Sequence, residues 1–392
     1  MWVSSLKAFG FRNLAGVADA EDISSPGSDL AVEFDSGVNV LKGLNAQGKT
    51  NLVEAVYFCA TAHSHRTNAT CEMIRFDSEF ARIQAIVAKD STSDYYNKIN
   101  ILLRQIGKNK ASKAAAINGV AINKLEDLLG VLYCVIFSPE DLRLIKAGPA
   151  ERRRFVDMEL CQINRVYYHE LRQYYRILKQ RNVLLKNLQK SLYKGAVQKD
   201  GLHETLDLWD IQLAESGTRL TRIRGAYIDE LNVLADKIHK NLCGETLQAV
   251  YRPSCRISAQ DGDRDEFLDR IKKNRAKDIQ NGITTAGIHK DDVSFLLNGL
   301  DSRIYGSQGQ QRTTALSLKL AEMELIKREK GENPVLLLDD VLSELDSKRQ
   351  EQLLSSIEDI QTIITCTTAE NLPSFSNAAM YMVHDGGISR SS

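Results

Sequence analysis

Gly43-Leu44-Asn45-Ala46-Gln47-Gly48-Lys49-Thr50 is the stretch on which the reading of the fold turns. It fits the pattern G-x-x-x-x-G-K-[ST], and its flanks suit that pattern. Before it, Val38-Asn39-Val40-Leu41 alternates apolar and polar as a strand does. After it, Asn51-Leu52-Val53-Glu54-Ala55-Val56-Tyr57-Phe58 carries apolar residues at helical spacing. A strand, a glycine loop and a helix in that order make a phosphate cradle. Gly43 and Gly48 let the backbone of Leu44, Asn45, Ala46 and Gln47 wrap an anion, so that N–H groups and the helix N-terminus point at it. Lys49 then reaches the β/γ oxygens and Thr50 ligates Mg2+. The competing reading is a chance glycine turn, and the flanking strand and helix weigh against it.

A phosphate loop of this kind needs a second acid for the metal, at the end of an apolar strand. Val335-Leu336-Leu337-Leu338-Asp339-Asp340 has that form. Asp339 is the expected Mg2+ partner and Asp340 the expected group that polarises an attacking water; the competing reading is a strand followed by an acidic turn. Between the two motifs, Tyr305-Gly306-Ser307-Gln308-Gly309-Gln310-Gln311-Arg312 opens a long helix over residues 313–330. Alone it would be an ordinary helix cap.

Taken together, the three elements resemble the ABC-type ATPase heads. In those heads a serine-glycine-glutamine signature faces the γ-phosphate bound on a second subunit. The resemblance therefore implies that Ser307, Gln308, Gly309 and Gln310 contact nucleotide only across an ATP-dependent homodimer. Ser343-Glu344-Leu345-Asp346 is similar to the D-loop of that superfamily. The acid after the strand, usually Glu, is here Asp340, and the shorter base implies slow hydrolysis. Thr365-Cys366-Thr367-Thr368 stands where a histidine usually senses the γ-phosphate, which shifts that role to Thr367 or Thr368.

The rest of the chain bounds these readings. Its 392 residues, 43% hydrophobic and 26% charged, suffice for a large core and for two domains or one domain with a large insertion. Basic and acidic residues balance at 51 each, so attraction to nucleic acid has to come from local clusters. The seven cysteines are scattered and lack C-x-x-C spacing, which predicts reduced, mostly buried thiols. No window approaches the ~18 apolar residues of a membrane span and residues 1–9 do not read as a leader, so a cytoplasmic protein is expected. His63 and His65 read as caps or surface residues, and His289-Lys290-Asp291-Asp292 as a polar hairpin near the head's second sheet, rather than as metal ligands.

Strand-like patterns recur at residues 81–87, 98–103 and 132–137. From Arg152 the pattern becomes helical. Tyr167, Leu171, Tyr174, Leu178, Leu185, Leu188 and Leu192 form a seam interrupted by Arg181, and a polar break from Gly195 to Gly201 leads to a second seam through Leu202, Leu206, Trp209, Leu213, Ser216, Leu220, Ile223 and Tyr227. A first helix of ~27 residues would reach roughly 40 Å. Strand-like stretches return at residues 248–257, 293–297, 335–338 and 362–366. The expectation is an α/β head of the P-loop ATPase class, built from residues 1–150 and 246–392, with residues 151–245 inserted as an antiparallel helical arm. Lys49 and Asp339 lie 339 − 49 = 290 positions apart, and the arm that helps to fill this gap argues against a compact transporter motor.

Further strings narrow the resemblance. Phe9-Gly10-Phe11-Arg12-Asn13-Leu14, Thr50-Asn51-Leu52-Val53-Glu54-Ala55, Phe137-Ser138-Pro139-Glu140-Asp141-Leu142, Gly287-Ile288-His289-Lys290-Asp291-Asp292 and Gly309-Gln310-Gln311-Arg312-Thr313 are similar to the RecF family, over nearly the whole chain. That resemblance implies an ATP-dependent homodimer that binds duplex DNA at single-strand gap junctions. It implies a weak, DNA-stimulated ATPase serving as a switch, RecO and RecR as partners in loading RecA, and a nucleoid-associated location. It also makes Arg12 and Asn13 nucleotide contacts. Ser138-Pro139-Glu140 occupies the place of the glutamine loop without a glutamine.

Residues 151–200 hold twelve Lys/Arg and five acids, an excess of 12 − 5 = +7 and the most basic stretch of the chain. Such residues on helices track phosphates and release counterions. The alternative for any one of them is a solvated helical face. A nucleotide-gated scaffold that barely hydrolyses is the remaining rival to a DNA clamp.

Overall fold

The computed structural model describes residues 1–15, 30–89, 95–107, 109–193, 202–258, 262–342, 345–355, 357, 359–367 and 378–391. The chain forms two compact units: Met1–Asp141 with Glu322–Ser392, and Leu142–Ala321.

The first unit contains two six-stranded sheets. One is antiparallel and includes Trp2–Phe9, Phe80–Ala88, Tyr96–Gly107 and Lys110–Ile117 in neighbouring positions. Phe80–Ala88 alternates exposed and buried residues along its first half, as a strand with one solvated face does. The other sheet runs in the order Gly387–Ser391, Ala379–His384, Val38–Lys42, Thr362–Cys366, Val335–Asp339, Cys134–Phe137. All its pairings are parallel except that of the edge strand Gly387–Ser391. Val335–Asp339, Thr362–Cys366 and Cys134–Phe137 are buried at every residue, which accounts for their unbroken runs of apolar and small side chains. The helix Lys49–Thr61 packs against strands of both sheets. Eleven of its 13 residues are buried, so it is enclosed on all sides rather than amphipathic.

The second unit is built on two long helices, Arg165–Tyr193 and Leu202–Cys243. They run antiparallel: Glu170 meets Ser216 and Arg219, Arg181 meets Asp210, and Leu185 and Leu188 pack with Leu206. At 1.5 Å per residue their 29 and 42 residues reach about 43 and 63 Å. Arg181, which breaks the apolar seam, is fully buried. Its Nε donates to Asp210 at 2.7 Å, and its Nη1 donates to Asp278 and to Thr284 Oγ1, both at 2.7 Å.

This unit extends to Ala321, past the boundary near residue 245 that the sequence pattern suggests. Leu247–Arg252 and Asp292–Leu297 pair with each other in a separate three-stranded sheet, and the helix Asp263–Asn281 lies along both long helices. Period-2 patterning reveals a strand but not which sheet it joins. The helix Asp263–Asn281 has a sparse inner face, with Asp263, Phe267, Ile271 and Asp278 buried, and so leaves little helical pattern in the sequence. Gly195 and Gly201 lie outside the described residues.

Candidate nucleotide site

The parallel sheet positions the site of the first unit. Val38–Lys42 leads into the glycine loop, with Thr362–Cys366 on one side and Val335–Asp339 beyond it. The carboxyl ends of these strands lie level, as the register shows: Asp339 pairs with Thr365, and Thr365 with Leu41. In open parallel sheets this end is where ligands bind.

The loop backbone is fixed by close approach. A Cβ on Gly43 would sit 2.3 Å from the carbonyl oxygen of Val383, so no other residue fits there without moving the neighbouring strand. Gly48 has φ 109° and caps the helix from the left-handed region. Ala46 is also left-handed, at φ 67°. Gln47 is tied to the hairpin before the last strand: its carbonyl accepts from Gly386 N at 2.9 Å and its Oε1 from Asp385 N at 2.5 Å. Asn13 Nδ2 donates to Ala46 O at 3.1 Å.

Lys49 is 4% exposed, and its Nζ donates back across the loop to Gly43 O at 2.7 Å and Leu44 O at 3.0 Å. The ammonium therefore lies inside the curve of the loop. Thr50 Oγ1 donates to Asp339 Oδ1 at 3.0 Å. Two residues 289 positions apart thus form one donor set, a hydroxyl and a carboxylate, suited to a hard cation such as Mg2+. Thr365 Oγ1 donates to the same oxygen at 2.9 Å and accepts from Asp340 N at 2.8 Å. Burial pushes the Asp339 carboxyl above its ordinary range, and the bonds from Thr365 and Thr50 oppose that rise. A cation here would relieve the same desolvation. Asp340 has φ 53°, a strained conformation for a non-glycine residue, and such conformations cluster at functional sites.

Arg12, read from the sequence as a nucleotide contact, is engaged elsewhere. Its Nε and Nη2 clasp the carboxylate of Glu54 at 2.9 and 2.7 Å, and its Nη1 donates to Glu72 O. Glu54 lies fully buried in the helix that follows the loop and also accepts from Ser64 at 2.5 Å. Burial alone would raise its carboxyl, but the Arg12 and Ser64 hydrogen bonds outweigh it and hold it below the ordinary range. Two functional candidates were missed in the sequence, Thr365 and Glu54. Thr365 precedes the threonines singled out there. Of those, Thr367 is exposed, and Thr368 lies outside the described residues, as do Ser343 and Glu344 of the D-loop string.

The signature lies in the second unit. Ser307 N donates to Gln310 Oε1 at 2.9 Å and Gln310 N to Ser307 Oγ at 3.3 Å, which is a capping box at the head of the helix Gln308–Lys330. Ser307 and Gln308 are exposed, and the space beside Gly309 is open. Gln310 Nε2 donates to Glu245 at 2.7 Å.

The basic stretch divides by role. Arg152 and Arg181 are buried in ion pairs, and Arg153 donates to Asp291 O. Arg165, Arg172, Arg176, Lys179, Lys186 and Lys190 are exposed along the helix Arg165–Tyr193; Lys194 and Lys199 lie outside the described residues. His289 lies in the short helical turn Ile288–Lys290, not in a hairpin, and bonds to the Tyr174 hydroxyl and to Thr284 O. No helix among the described residues is long and apolar enough to cross a membrane.

With this geometry in view, comparisons with known proteins converge. The family described as RecF/RecN/SMC N terminal domain matches residues 20–389. The DNA replication and repair protein RecF of Lachnoclostridium phytofermentans is 46% identical over 374 residues, 94% of both chains. That of Clostridium perfringens is 40% identical over 390 residues, 99% of both. A solved structure of the recombination mediator protein RecF-ATP in the RecFOR pathway superposes with a TM-score of 0.87 at 32% identity, covering 100% of this chain and 98% of that one. An Smc head bound to the C-terminal winged-helix domain of ScpA, at 12% identity and a TM-score of 0.53, shares the fold alone. The fold is that of an ABC-type ATPase head, and the chain belongs to the RecF family of DNA replication and repair proteins.

Proposed function

We propose that this chain is an ATP-gated DNA-binding protein that dimerises on nucleotide, acting in recombinational repair and at stalled forks. The observation that carries this reading is the meeting of Thr50 and Asp339 beside the glycine loop, with Lys49 inside it. The RecF relative whose solved structure is described with ATP supports the choice of nucleotide.

The loop N–H groups and Lys49 hold the phosphate chain, and Asn13 steadies the loop at Ala46. Thr50 and Asp339 hold the cation, which neutralises charge on the phosphate oxygens when bound. Asp340 orients the attacking water, and its backbone is fixed by Thr365. Ser307, Gln308, Gly309 and Gln310 close the γ-phosphate side from a second copy of the chain. The exposed Arg176, Lys179, Lys186 and Lys190 track duplex phosphates next to a single-strand gap and give salt-sensitive, sequence-independent binding. Hydrolysis is slow, is stimulated by DNA, and serves as a timer. RecR and RecO are the partners, with RecA loading as the outcome, in the cytoplasm at the nucleoid.

Sedimentation with and without ATP and gapped duplex tests the reading. A mass that doubles with ATP, most strongly with DNA present, is the expected result; an unchanged mass under all four conditions refutes it. Lys49→Arg should bind ATP and DNA yet release DNA slowly.

A further inference from the structure

Away from the glycine loop, one group of side chains in the second unit has the composition of a soft-metal site. His239 and Cys243 stand four residues apart at the end of the helix Leu202–Cys243, and so share a face. The chain then turns at Gly244, whose φ is 79°, and brings Glu245 back toward them. Cys243 Sγ lies 3.7 Å from Glu245 Oε2 and 3.3 Å from His239 O, so its single thiol proton is offered to two acceptors. One imidazole nitrogen, the sulfur and one carboxylate oxygen all lie within 4.8 Å of one another, and no other triad of His, Cys, Asp or Glu among the described residues does so. Ligand atoms of a tetrahedral zinc ion stand roughly 3.3–3.8 Å apart, given bonds of about 2.0–2.3 Å, so a small contraction closes the set.

The surroundings fit ligation. His239 is fully buried, and its ring is oriented from the helix Gln308–Lys330. Ser317 Oγ donates to Thr313 O at 2.8 Å, so it accepts from the Nδ1–H of His239, also at 2.8 Å. That leaves the lone pair of the neutral ring on Nε2, and an acceptor on the other ring N–H fixes the tautomer and orientation as the outer-shell partner of a ligating histidine does. Cys243 and Glu245 are half-buried, so the group opens to solvent on one side and water can fill the fourth position.

We propose that His239, Cys243 and Glu245 bind one Zn2+ ion. The Cys243 thiol loses its proton to solvent as the sulfur–zinc bond forms. The consequence reaches the signature: Glu245 Oε1 accepts from Gln310 Nε2 at 2.7 Å, and Gln310 Oε1 accepts from Ser307 N. A carboxylate pinned by metal therefore fixes the Gln310 side chain, and with it the turn that opens the helix. This second effect rests on the reading of Ser307 and Gln310 as nucleotide-facing; metal binding itself does not.

The test uses the full chain without a histidine tag. Zinc content after equilibrium dialysis should approach one per chain. Cobalt substitution should give a tetrahedral spectrum with a thiolate-to-cobalt charge-transfer band. Cys243→Ser, which conserves shape at a half-buried position, should lose that band and weaken zinc binding by at least about tenfold. Zinc should also protect Cys243 of the unaltered chain from maleimide labelling read by mass spectrometry, an outcome that does not depend on any variant folding. Absence of zinc, absence of the charge-transfer band, no protection, or a folded Cys243→Ser with unchanged affinity each overturns the proposal. ATP affinity, measured separately with and without zinc, tells failure of the metal site from failure of the nucleotide reading.

Discussion

Replacing Thr365 by Val keeps the shape of the side chain and removes a hydroxyl that serves two groups. Asp339 loses a donor at 2.9 Å, and Asp340 N loses its acceptor at 2.8 Å. A hydrogen bond to a charged group contributes about 1.5–3 kcal/mol, and a buried amide left unsatisfied costs a further 1–3 kcal/mol or so. The folding free energy should therefore fall by about 2.5–6 kcal/mol in urea titration. The effect on the cation can be approached independently. Removing an outer-shell partner of a metal ligand typically weakens metal binding about 10–100-fold. At about 1.4 kcal/mol per factor of ten this is close to the value of one charge-assisted bond. The assay is titration of a fluorescent ATP analogue at fixed protein and varied Mg2+. Thr365→Val should need about 10–100 times more Mg2+ for half-maximal binding, whereas Thr365→Ser, which retains the hydroxyl, should lie close to the unaltered chain. A valine variant with an unchanged Mg2+ midpoint would show that Thr365 does not support a metal site at Asp339.

Other outcomes follow from the same geometry. Lys49→Ala should abolish detectable ATP binding in the same titration while leaving far-ultraviolet circular dichroism unchanged, because it removes the ammonium held inside the loop. Gly43→Ala would place a methyl 2.3 Å from a backbone oxygen, so it should lower the unfolding free energy by about 2 kcal/mol or more; a neutral result would mean that the loop and the Ala379–His384 strand separate easily. Arg181→Met leaves Asp210 and Asp278 buried without the arginine, at a cost of about 3–5 kcal/mol, smaller if Arg275 compensates at Asp210; a loss under about 1 kcal/mol refutes the assignment. His289 is lowered to about 4 by burial, partly offset by its bond to Thr284 O. A depressed folded pKa means that its stability contribution is whole above pH ~6.5 and is lost as pH falls towards ~4, by roughly 1 kcal/mol at pH 5.5 and roughly 3 at pH 4. His289→Gln should flatten that part of the profile in denaturant titrations across this range.

Local patterns carried the elements that local physics controls. The glycine loop, the helix after it and the apolar run into Asp339 were legible because strand period, helix period and loop chemistry each leave marks within about ten residues. Thr365 left none: a threonine in a buried strand looks like any β-branched filler until the register places it beside Asp339. Arg12 shows the converse, a residue in a suggestive string whose guanidinium is taken by Glu54, buried one turn beyond the loop.

The extent of the second unit was hidden for the same reason. Arg181 read only as a fault in a seam, because its acids arrive from Asp210 on the opposite helix and from Asp278 on a helix whose inner face is too sparse to announce itself. By itself the sequence determined a phosphate-binding α/β head, a helical insertion and the residues of the loop, since those follow from spacing along one chain. Only the tertiary structure decided which hydroxyl shares Asp339, which charges are buried rather than exposed, and that His239, Cys243 and Glu245 meet beside Gln310. Those facts depend on strand register and helix packing, which bring together residues tens to hundreds of positions apart and are not encoded in any local period.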